Sequence, residues 1–276
     1  CFFASDLHGR MERYCALLGA MSAERPRAVF IRGDILPPPG RGEHDDFIAG
    51  YLLPQLEIVR DVLGGDYPRI FLILGNDDPR AAERPLAESD LVSYIHNRAE
   101  PFGRWTVYGY ANVPPTPFML KDWERYDVSR FVDPGSVAPD EGFRTVEAPC
   151  DEVRFATIAE DLEALAGNRN LSASVFLFHS PPYRTALDRA ALDGRMVDHV
   201  PLDIHVGSIA IRRFIEERRP LLTLHGHIHE SARLTGSWIE RIGPTVALSA
   251  AHDGPELALV RFDLEDPGGA VRELIG

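Results

Sequence analysis

The chain has 276 residues, of which 45% are apolar and 26% are charged, proportions that are typical of a globular protein with a buried core. Its formal net charge of −13 argues against a protein that binds nucleic acid or an anionic membrane through long-range attraction. This charge does not exclude a phosphate ester as substrate, because bound cations can reverse the sign of the charge locally.

The cysteines and the lack of long apolar runs predict a cytoplasmic protein. Cys1, Cys15 and Cys150 are odd in number and form no C-x-x-C pair, which favours a reducing compartment over a disulfide framework. No apolar run approaches the roughly 20 residues of a membrane span, and no signal peptide precedes the first predicted strand. Since Cys1 already lies in that strand, we expect the natural chain to carry a short leader that includes its Met.

The first half of the chain alternates between short apolar runs and amphipathic segments. Strands are predicted at residues 1–5, 28–32 and 70–74, and helices at residues 11–21 and 54–63. This alternation is typical of an α/β sheet with crossover helices, in which ligands bind at the carboxyl ends of the strands.

The second half begins with a long stretch, residues 113–149, that is rich in Pro and Gly and has no sustained period. We expect it to be an excursion packed on a single domain of residues 1–276, either as a lid over the site or as a partner surface. The remaining predictions are a helix at 151–165 with Phe155, Ile158, Leu162 and Leu165 on one face, a strand at 174–178, a helix at 208–218, a strand at 221–224, and a closing meander of strands at 238–242, 245–249, 257–262 and 271–274.

Five short motifs follow these predicted strands. They are Asp6-Leu7-His8, Gly33-Asp34, Gly75-Asn76-Asp77-Asp78, His179 and Gly226-His227-Ile228-His229. Residues two apart on a strand lie on the same side, so Asp6 and His8 can reach one metal ion together. Each motif alone has an ordinary explanation, such as an Asx-turn or a structural histidine. The whole set, in this order at strand ends, predicts a dinuclear metal centre.

This set resembles the motifs of the calcineurin-like metallophosphoesterases, which are D-x-H, G-D, G-N-H-[D/E], H and G-H-x-H, over positions 6 to 229. The stretches Val206-Gly207-Ser208 and 226–231 are most similar to the Icc-related predicted phosphoesterases. The resemblance implies an α/β fold, a four-layer αββα sandwich with two mixed β-sheets, in a single domain. It also implies a hydrolase of a small phosphate ester or nucleotide-like substrate.

The resemblance further implies two divalent metal ions and assigns their ligands. The implied ligands are Asp6, His8 and His229 for the first ion, Asn76, His179 and His227 for the second, and Asp34 as a bridge between them. Imidazole and carboxylate ligands are compatible with Mn²⁺, Fe²⁺ or Fe³⁺, Zn²⁺ and Ni²⁺. In the expected mechanism, a hydroxide that bridges the two ions attacks phosphorus, and Asn76 also contacts a phosphate oxygen.

One departure from the family pattern affects the expected substrate. The family's third motif has a His that helps to protonate the leaving oxygen, and this chain has Asp77 there. Either the pKa of Asp77 is raised so that it acts as the catalytic acid, or the enzyme works without an acid. We expect a phosphodiesterase. The alternatives are a phosphomonoesterase or protein phosphatase of the same fold and a noncatalytic scaffold, while the lack of a basic stripe disfavours a nuclease.

The other histidines are weaker candidates for the site. We expect His205 to contact the substrate, because it precedes a predicted helix N-terminus that favours an anion. We expect His225 to be structural. Surface positions are expected for His44, His96, His199 and His252.

Overall fold

The computed structural model describes residues 1–38 and 47–276. The α-helices are α1 (Met11–Glu24), α2 (Leu53–Leu63), α3 (Glu83–Ala87), α4 (Cys150–Phe155), α5 (Ile158–Ala166), α6 (Ile209–Arg218) and α7 (Ser231–Thr235). Within the described ranges, none of the helices has the length and apolar character needed to cross a membrane. His44, for which a surface position is expected, lies outside the described residues.

The strands build two six-stranded sheets and one small hairpin. In chain order they are β1 (Phe2–Ser5), β2 (Ala28–Arg32), β3 (Arg69–Ile73), β4 (Ser93–Tyr94), β5 (Arg98–Phe102), β6 (Trp105–Tyr110), β7 (Ser174–Phe178), β8 (Met196–Val197), β9 (Val200–Pro201), β10 (Leu222–His225), β11 (Ile239–Ile242), β12 (Thr245–Ser249), β13 (Leu257–Arg261) and β14 (Val271–Ile275). The first sheet has the order β14-β13-β1-β2-β3-β4, the second has the order β11-β12-β10-β7-β6-β5, and β8 pairs with β9.

The two sheets are mixed, and they pack face to face between helical layers. Strands β1 to β4 are parallel, as are β12, β10, β7 and β6, while β5, β11, β13 and β14 pair antiparallel at the edges. Phe30 and Phe71 of the first sheet share one core with Leu177 of the second. On the outer face of the second sheet, Phe176 packs with Phe214 of α6 and with α5. The expected four-layer αββα arrangement is therefore confirmed.

The strand register brings the motif loops to one end of the sheets. Ser5 at the end of β1 pairs with Arg32 at the end of β2, and Arg32 pairs with Ile73 at the end of β3. In the second sheet, Leu177 of β7 pairs with Leu224 of β10. Because parallel strands that end in register leave their following loops side by side, the loops after these five strands are neighbours.

The sequence predicts one helix over residues 151–165, and this expectation is wrong. The chain ends α4 at Phe155 and begins α5 at Ile158, because Thr157 caps a new helix. The Thr157 side chain accepts a hydrogen bond from the backbone N–H of Glu160, whose own side chain accepts one from the backbone N–H of Thr157. The break leaves Phe155 54% exposed, whereas Ile158 and Leu162 are buried as expected.

The predicted closing meander is also wrong in its connectivity. Strands β11 and β12 belong to the second sheet, and β12 lies parallel to β10 in the position next to it. After Ala251 the chain crosses to the first sheet, where β13 pairs with β1 and β14 forms the edge. The short strand β4 and the β5–β6 hairpin are not among the predicted elements, although β6 pairs with β7 inside the second sheet.

The excursion at residues 113–149, all of which the structure describes, contains no helix or strand and is attached by side-chain hydrogen bonds. The indole N–H of buried Trp123 donates to the carbonyl of Asp78 at 2.7 Å. Asp122 accepts from the backbone N–H of Arg80 at 2.7 Å, and Asp127 accepts from that of Ile209 at the start of α6, also at 2.7 Å. The excursion therefore contacts both the third motif and α6, while the single-domain assignment stays a prediction.

Candidate metal centre

Four of the ten non-glycine residues that have a positive φ in the described part of the chain lie in the motif loops. The residues Asp6, His8, Asp34 and His227 have φ angles of 55°, 48°, 54° and 70°. Positive φ is uncommon for residues other than glycine and costs of order 1–3 kcal/mol each. Such strain persists only where the surrounding structure enforces it, and it clusters at functional sites. Here it coincides with four of the predicted metal ligands.

A first donor cluster consists of Asp6, His8, Asp34 and His229. Each residue offers one nitrogen or oxygen atom, and these atoms lie within 4.8 Å of one another. His8 Nε2 is 3.1 Å from His229 Nε2, and His229 Nε2 is 3.5 Å from Asp6 Oδ1. The two histidines come from opposite ends of the chain and from different sheets, so only the folded structure brings them together.

A second donor cluster consists of Asp34, His179 and His227, whose donor atoms also lie within 4.8 Å of one another. His179 Nε2 is 3.2 Å from Asp34 Oδ2 and 2.8 Å from Asn76 Oδ1, so the Asn76 amide joins this cluster. The imidazole rings of His179 and His227 have centroids 5.0 Å apart. Asp34 belongs to both clusters, and all seven predicted ligand residues are therefore brought together.

The spacing and chemistry of these atoms fit two divalent metal ions. Ligand atoms that each lie about 2.0–2.2 Å from one ion are separated from one another by roughly 3–3.5 Å. The closest separations in both clusters fall near that range. Ionised carboxylate oxygens and amide oxygens accept but do not donate, and two imidazole nitrogens that face each other hold at most one proton between them. Both clusters are thus rich in lone pairs that a cation can satisfy.

In the first cluster, the charges of neighbouring side chains determine the pKa values of Asp6 and His229. Burial opposes ionisation of Asp6, but the hydrogen bond and charge of His229, together with the charge of Arg32, hold the Asp6 pKa well below its ordinary value. Burial likewise opposes protonation of His229, but Asp6 raises the His229 pKa to about 9. In the second cluster, burial lowers the pKa of His227 to about 3, which leaves a neutral imidazole, the form that binds metals.

Asp77 lies at the edge of the first cluster. Its Oδ2 is 3.9 Å from His8 Nδ1, its backbone N–H donates to Asp34 Oδ1 at 2.8 Å, and its Oδ1 accepts from the Asn76 amide at 2.9 Å. The charge of Asp34, together with burial, raises the pKa of Asp77 to about 7. Without bound cations, Asp77 is therefore divided between its protonated and ionised forms near neutral pH.

The side chain of Asp78 has different contacts from that of Asp77. In the sequence the two residues are adjacent carboxylates that cannot be told apart. Its side chain is fully buried and accepts hydrogen bonds from the backbone N–H groups of Ile35, Leu36 and Gly75, at 3.2, 2.9 and 2.8 Å. Asp78 thereby connects the loop after β2, which carries Asp34, to the loop after β3. No signal in the sequence distinguishes its structural role from that of its neighbour.

Two buried arginines contact the residues of the site. The sequence analysis did not select either of them. The Arg32 guanidinium is fully buried, donates to the carbonyls of Phe178 and His179, and lies 3.8 Å from Asp6 Oδ2. Burial lowers the pKa of Arg32 to about 10, so the group stays charged near neutral pH. Arg13 of α1 donates to the carbonyls of Asp6 and of residues 252, 254 and 255. A charged residue in the apolar run of β2 was the available signal for Arg32.

His205 is in neither donor cluster. Its Nδ1 is 2.8 Å from the carboxylate of Asp188, which is fully buried. The helix N-terminus expected to bind an anion near His205 is already occupied, because the Asp127 carboxylate accepts hydrogen bonds from the first N–H groups of α6. A substrate contact by His205 stays a prediction, without support from that helix terminus.

The remaining histidines divide into structural and surface positions. His225 is fully buried, with Nδ1 3.0 Å from the Ser180 carbonyl and Nε2 2.8 Å from Thr223 Oγ1, so its side chain has a structural environment. His96 is partly buried, whereas we expected an exposed surface position. Its Nδ1 accepts from the backbone N–H of Ala111 at 3.1 Å, and its ring packs edge-on against Trp123 with centroids 4.8 Å apart. Of the others, His199 is exposed, and His252 is partly buried with its Nε2 2.9 Å from Glu256 Oε2.

Comparison with known protein families identifies the relationship. The family described as calcineurin-like phosphoesterase matches residues 2–231, which is most of the chain and includes every motif at the site. The chain belongs to the calcineurin-like phosphoesterase family. The description of this family names phosphoesterases, and the family typically binds a dinuclear metal centre. The expected family is therefore confirmed, whereas the Icc-related branch stays a prediction.

Individual relatives are distant or match only in part. The uncharacterized protein MJ1162 of Methanocaldococcus jannaschii is 36% identical over 83 residues, which are 29% of this chain and 32% of that protein, so the match spans about a third of the relative's length. The solved structure of TT1561 of Thermus thermophilus has a TM-score of 0.58 at 14% identity, and the match covers 100% of this chain and 98% of that one.

A putative 5'-nucleotidase from Staphylococcus aureus, solved in complex with alpha-ketoglutarate, has a TM-score of 0.50 at 15% identity. The match covers 99% of this chain and 53% of that one. At these low identities, the likeness of both solved structures to this chain concerns the fold alone.

Proposed function

We propose that the protein is a metal-dependent phosphodiesterase that hydrolyses a small or nucleotide-like phosphodiester at a dinuclear metal centre. The observation that carries this proposal is the pair of donor clusters that share Asp34, with each cluster built from imidazole and carboxylate groups within 4.8 Å of one another. Two adjacent cation sites of this kind are suited to hold the oxygens of a phosphoryl group during an in-line displacement. Family membership supports the same reaction class.

The proposed ligands follow the two clusters. Asp6, His8 and His229 hold the first ion, Asn76, His179 and His227 hold the second, and Asp34 is shared. When bound, divalent ions supply Lewis acidity toward a phosphoryl group and lower the pKa of water. The ligand types suit Mn²⁺, iron, Zn²⁺ and Ni²⁺. The Asn76 amide N–H₂ group is also able to donate a hydrogen bond to a phosphate oxygen.

The position of Asp77 supports a diester rather than a monoester. Its raised pKa arises first from the negative charge of Asp34. Cations held by Asp34 oppose that effect, because positive charge favours an ionised carboxyl group. Ions bound there would lower the pKa of Asp77 and make its carboxyl group a poorer proton donor to a leaving oxygen. A diester or another ester with a stable leaving group depends least on that proton.

The nearest alternative is a phosphomonoesterase or a protein phosphatase of the same fold. The specific observation in its favour is that Asp77 Oδ2 lies 3.9 Å from His8 Nδ1, where a protonated carboxyl could donate toward a leaving group above the first cluster. The similarity in fold to a putative 5'-nucleotidase is compatible with this alternative but carries no information on the substrate at 15% identity. A noncatalytic scaffold is disfavoured, because all seven ligand positions are filled.

Three further assignments belong to this proposal. His205 contacts the substrate, with its ring oriented by the hydrogen bond to Asp188. The partner is a small molecule, because the net charge of −13 opposes attraction to a nucleic acid. The protein is cytoplasmic, in agreement with the three cysteines, which are all free in the structure.

The test combines metal analysis with a pair of model substrates. The protein is purified without chelator, its metal content is measured, and bis-p-nitrophenyl phosphate and p-nitrophenyl phosphate are assayed with added Mn²⁺. Two ions per chain with faster turnover of the diester support the proposal. Two ions with a preference for the monoester favour the alternative and make Asp77 the acid. A protein that binds no ions excludes the metal centre itself.

A further inference from the structure

We propose that Arg32 is a positioning residue that holds the ligands of both metal sites through one buried guanidinium. This inference rests on the proposed dinuclear centre and adds to it a residue outside the ligand set. Arg32 ends β2 directly before Gly33-Asp34, and its side chain faces the second sheet. Arg32 therefore lies between the two sheets, next to the loops that carry the proposed ligands.

On the side of the first site, Arg32 acts on Asp6. The two oxygens of the Asp6 carboxylate have different surroundings. Oδ1 is 3.5 Å from His229 Nε2, whereas Oδ2 lies 3.8 Å from Arg32 Nη2 and accepts a hydrogen bond from the Ser5 hydroxyl. Arg32 and Ser5 thus fix Oδ2 of Asp6, and this leaves Oδ1 of the same carboxylate directed toward the donor cluster. Groups that orient a ligand in this way affect metal affinity without contacting the ion.

On the side of the second site, Arg32 acts on the backbone of His179. Its Nη1 donates to the carbonyls of Phe178 and His179, where β7 ends. The position of that backbone determines where the His179 imidazole reaches, and its Nε2 lies 2.8 Å from Asn76 and 3.2 Å from Asp34. The same guanidinium therefore fixes Asp6 from the first sheet and His179 from the second.

Gly226, the glycine of the last motif, makes room for this arrangement. A Cβ atom at position 226 would overlap both Arg32 Nη2 and Asp6 Oδ2. The Arg32–Asp6 contact thus requires glycine at the position before His227. A substitution at this position tests the proposal from a residue that is neither a ligand nor Arg32.

Stability alone does not account for a guanidinium at this place. Among the described residues, Arg32 Nε and Nη2 have no hydrogen-bond partner, although the side chain is fully buried. Buried donors without partners are unfavourable, and an apolar side chain of similar volume often replaces a buried charge without loss of stability. A purely structural role predicts that replacing Arg32 changes the unfolding temperature. A positioning role predicts that it changes metal affinity.

The experiment measures Mn²⁺ binding to the full chain by equilibrium dialysis with metal analysis. It compares the wild type with Arg32→Met, Arg32→Lys, Gly226→Ala, Ser5→Ala and the control Arg272→Met. Arg272 is a partly buried arginine that donates to the Ala251 carbonyl, so it controls for the loss of a carbonyl-bound guanidinium outside the donor clusters. Thermal unfolding of each metal-free protein, followed by circular dichroism, reports whether it is folded.

We expect the wild type and Arg272→Met to bind two ions. Arg32→Met should weaken the binding of both ions by about 10- to 100-fold, the usual effect of losing a group that orients ligands. Gly226→Ala should have the same effect. The Ser5 hydroxyl donates to Asp6 and not to His179, so Ser5→Ala should weaken the binding of only one ion. Arg32→Lys should restore the affinity for one of the two ions. A lysine ammonium lacks the planar fork of a guanidinium, so it cannot contact Asp6 and the two carbonyls at the same time.

The outcomes separate this inference from the proposed function. If the wild type binds no Mn²⁺, both are overturned. If the wild type binds two ions and folded Arg32→Met binds both with unchanged affinity, only the role of Arg32 is overturned. If Arg32→Met does not fold, Arg32→Lys and Gly226→Ala decide the question, since unchanged affinity for both ions in those two proteins also overturns it.

Discussion

Asp34 is the residue on which the proposed centre depends most, because within the described part of the chain its carboxylate is the only group common to both donor clusters. Its backbone has a positive φ of 54°, and Gly33 before it leaves the space that the His179 ring occupies. The hydrogen bond from the Asp77 backbone N–H fixes Oδ1 at 2.8 Å, while Oδ2 faces His179. The two oxygens of the Asp34 carboxylate therefore have different partners, and both are fixed in position.

The first prediction concerns this bridge. Asp34→Asn keeps an acceptor for the Asp77 N–H but removes the negative charge shared by the two sites. We expect diester turnover to fall by about 10³-fold or more, because two cations contribute several kcal/mol to stabilising the transition state. Metal analysis should show fewer than two ions per chain. The exposed Asp61→Asn on α2 is the matched control, and near-normal turnover in Asp34→Asn would contradict the bridging role.

A second prediction at this scale concerns Asp77. Asp77→His introduces the side chain that the family pattern has at this position, and His is able to donate a proton near neutral pH. We expect turnover of p-nitrophenyl phosphate relative to the diester to rise by roughly 10-fold, the low end of what a general acid contributes. Asp77→Asn, which cannot donate an acidic proton, should leave diester turnover within a few-fold. Loss of diester turnover in Asp77→Asn with both ions bound would contradict the acid-independent mechanism.

At the scale of residues, the sequence pattern selected side chains that the fold brings together, and their assignment as metal ligands stays a prediction. This set was accessible because imidazoles and carboxylates recur after apolar strands, and the folded chain brings all seven residues together. The supporting roles of Asp78 and Arg32 could not be predicted from the sequence, for a physical reason. Their roles depend on backbone groups of distant loops, such as the carbonyl of His179 and the N–H of Leu36, which carry no residue-type signal.

At the scale of elements, buried central strands were predicted well, and helix boundaries depended on capping. Strands β2, β7 and β12 match the predicted ranges, because continuous apolar runs between turn residues leave little choice of register. The error at residues 151–165 arose because an apolar residue every three or four positions continues across the break. The capping box of Thr157 and Glu160 lies inside that periodic pattern and overrides it.

The third prediction tests this cap. Thr157→Ala removes the side-chain oxygen that accepts from the Glu160 N–H at 3.2 Å. We expect the free energy of unfolding to fall by about 1 kcal/mol, as for other helix N-caps. Urea unfolding monitored by circular dichroism measures the change, with the exposed Ser172→Ala as control. An unchanged midpoint would mean that packing of Ile158 and Leu162, not the cap, determines where α5 begins.

At the scale of the whole molecule, the sequence indicated the layers but not how the last strands divide between them. Apolar periodicity reports that a strand is buried, and it is the same for a strand in either sheet. The chain crosses between sheets after β12, so β12 and β13 are not neighbours as a meander requires. Long-range pairing of this kind, such as β13 with β1, depends on contacts between residues at opposite ends of the chain, for example Phe2 and Arg261.

His96 contacts both the second sheet and the excursion at 113–149. It gives a prediction about how the stability of the protein depends on pH. His96 accepts from the N–H of Ala111 after β6 and packs on Trp123 of the excursion. Burial, together with the charges of Arg80 and Arg125, lowers the pKa of His96 to about 3. The folded protein thus keeps this imidazole neutral at pH values where the unfolded chain, with an ordinary pKa near 6.5, binds a proton.

Since the unfolded state binds the additional proton, acid favours unfolding. The contribution of His96 to stability is complete above about pH 6.5 and is lost as the pH falls toward 3, at up to about 1.4 kcal/mol per pH unit. His96→Asn keeps an acceptor for the Ala111 N–H but does not titrate, so its stability should fall less steeply between about pH 6 and pH 4. Urea midpoints across this range measure both slopes, and the buried His225 contributes equally to each protein. Identical slopes would show that His96 is protonated in the folded state, and that its packing against Trp123 does not exclude the charge.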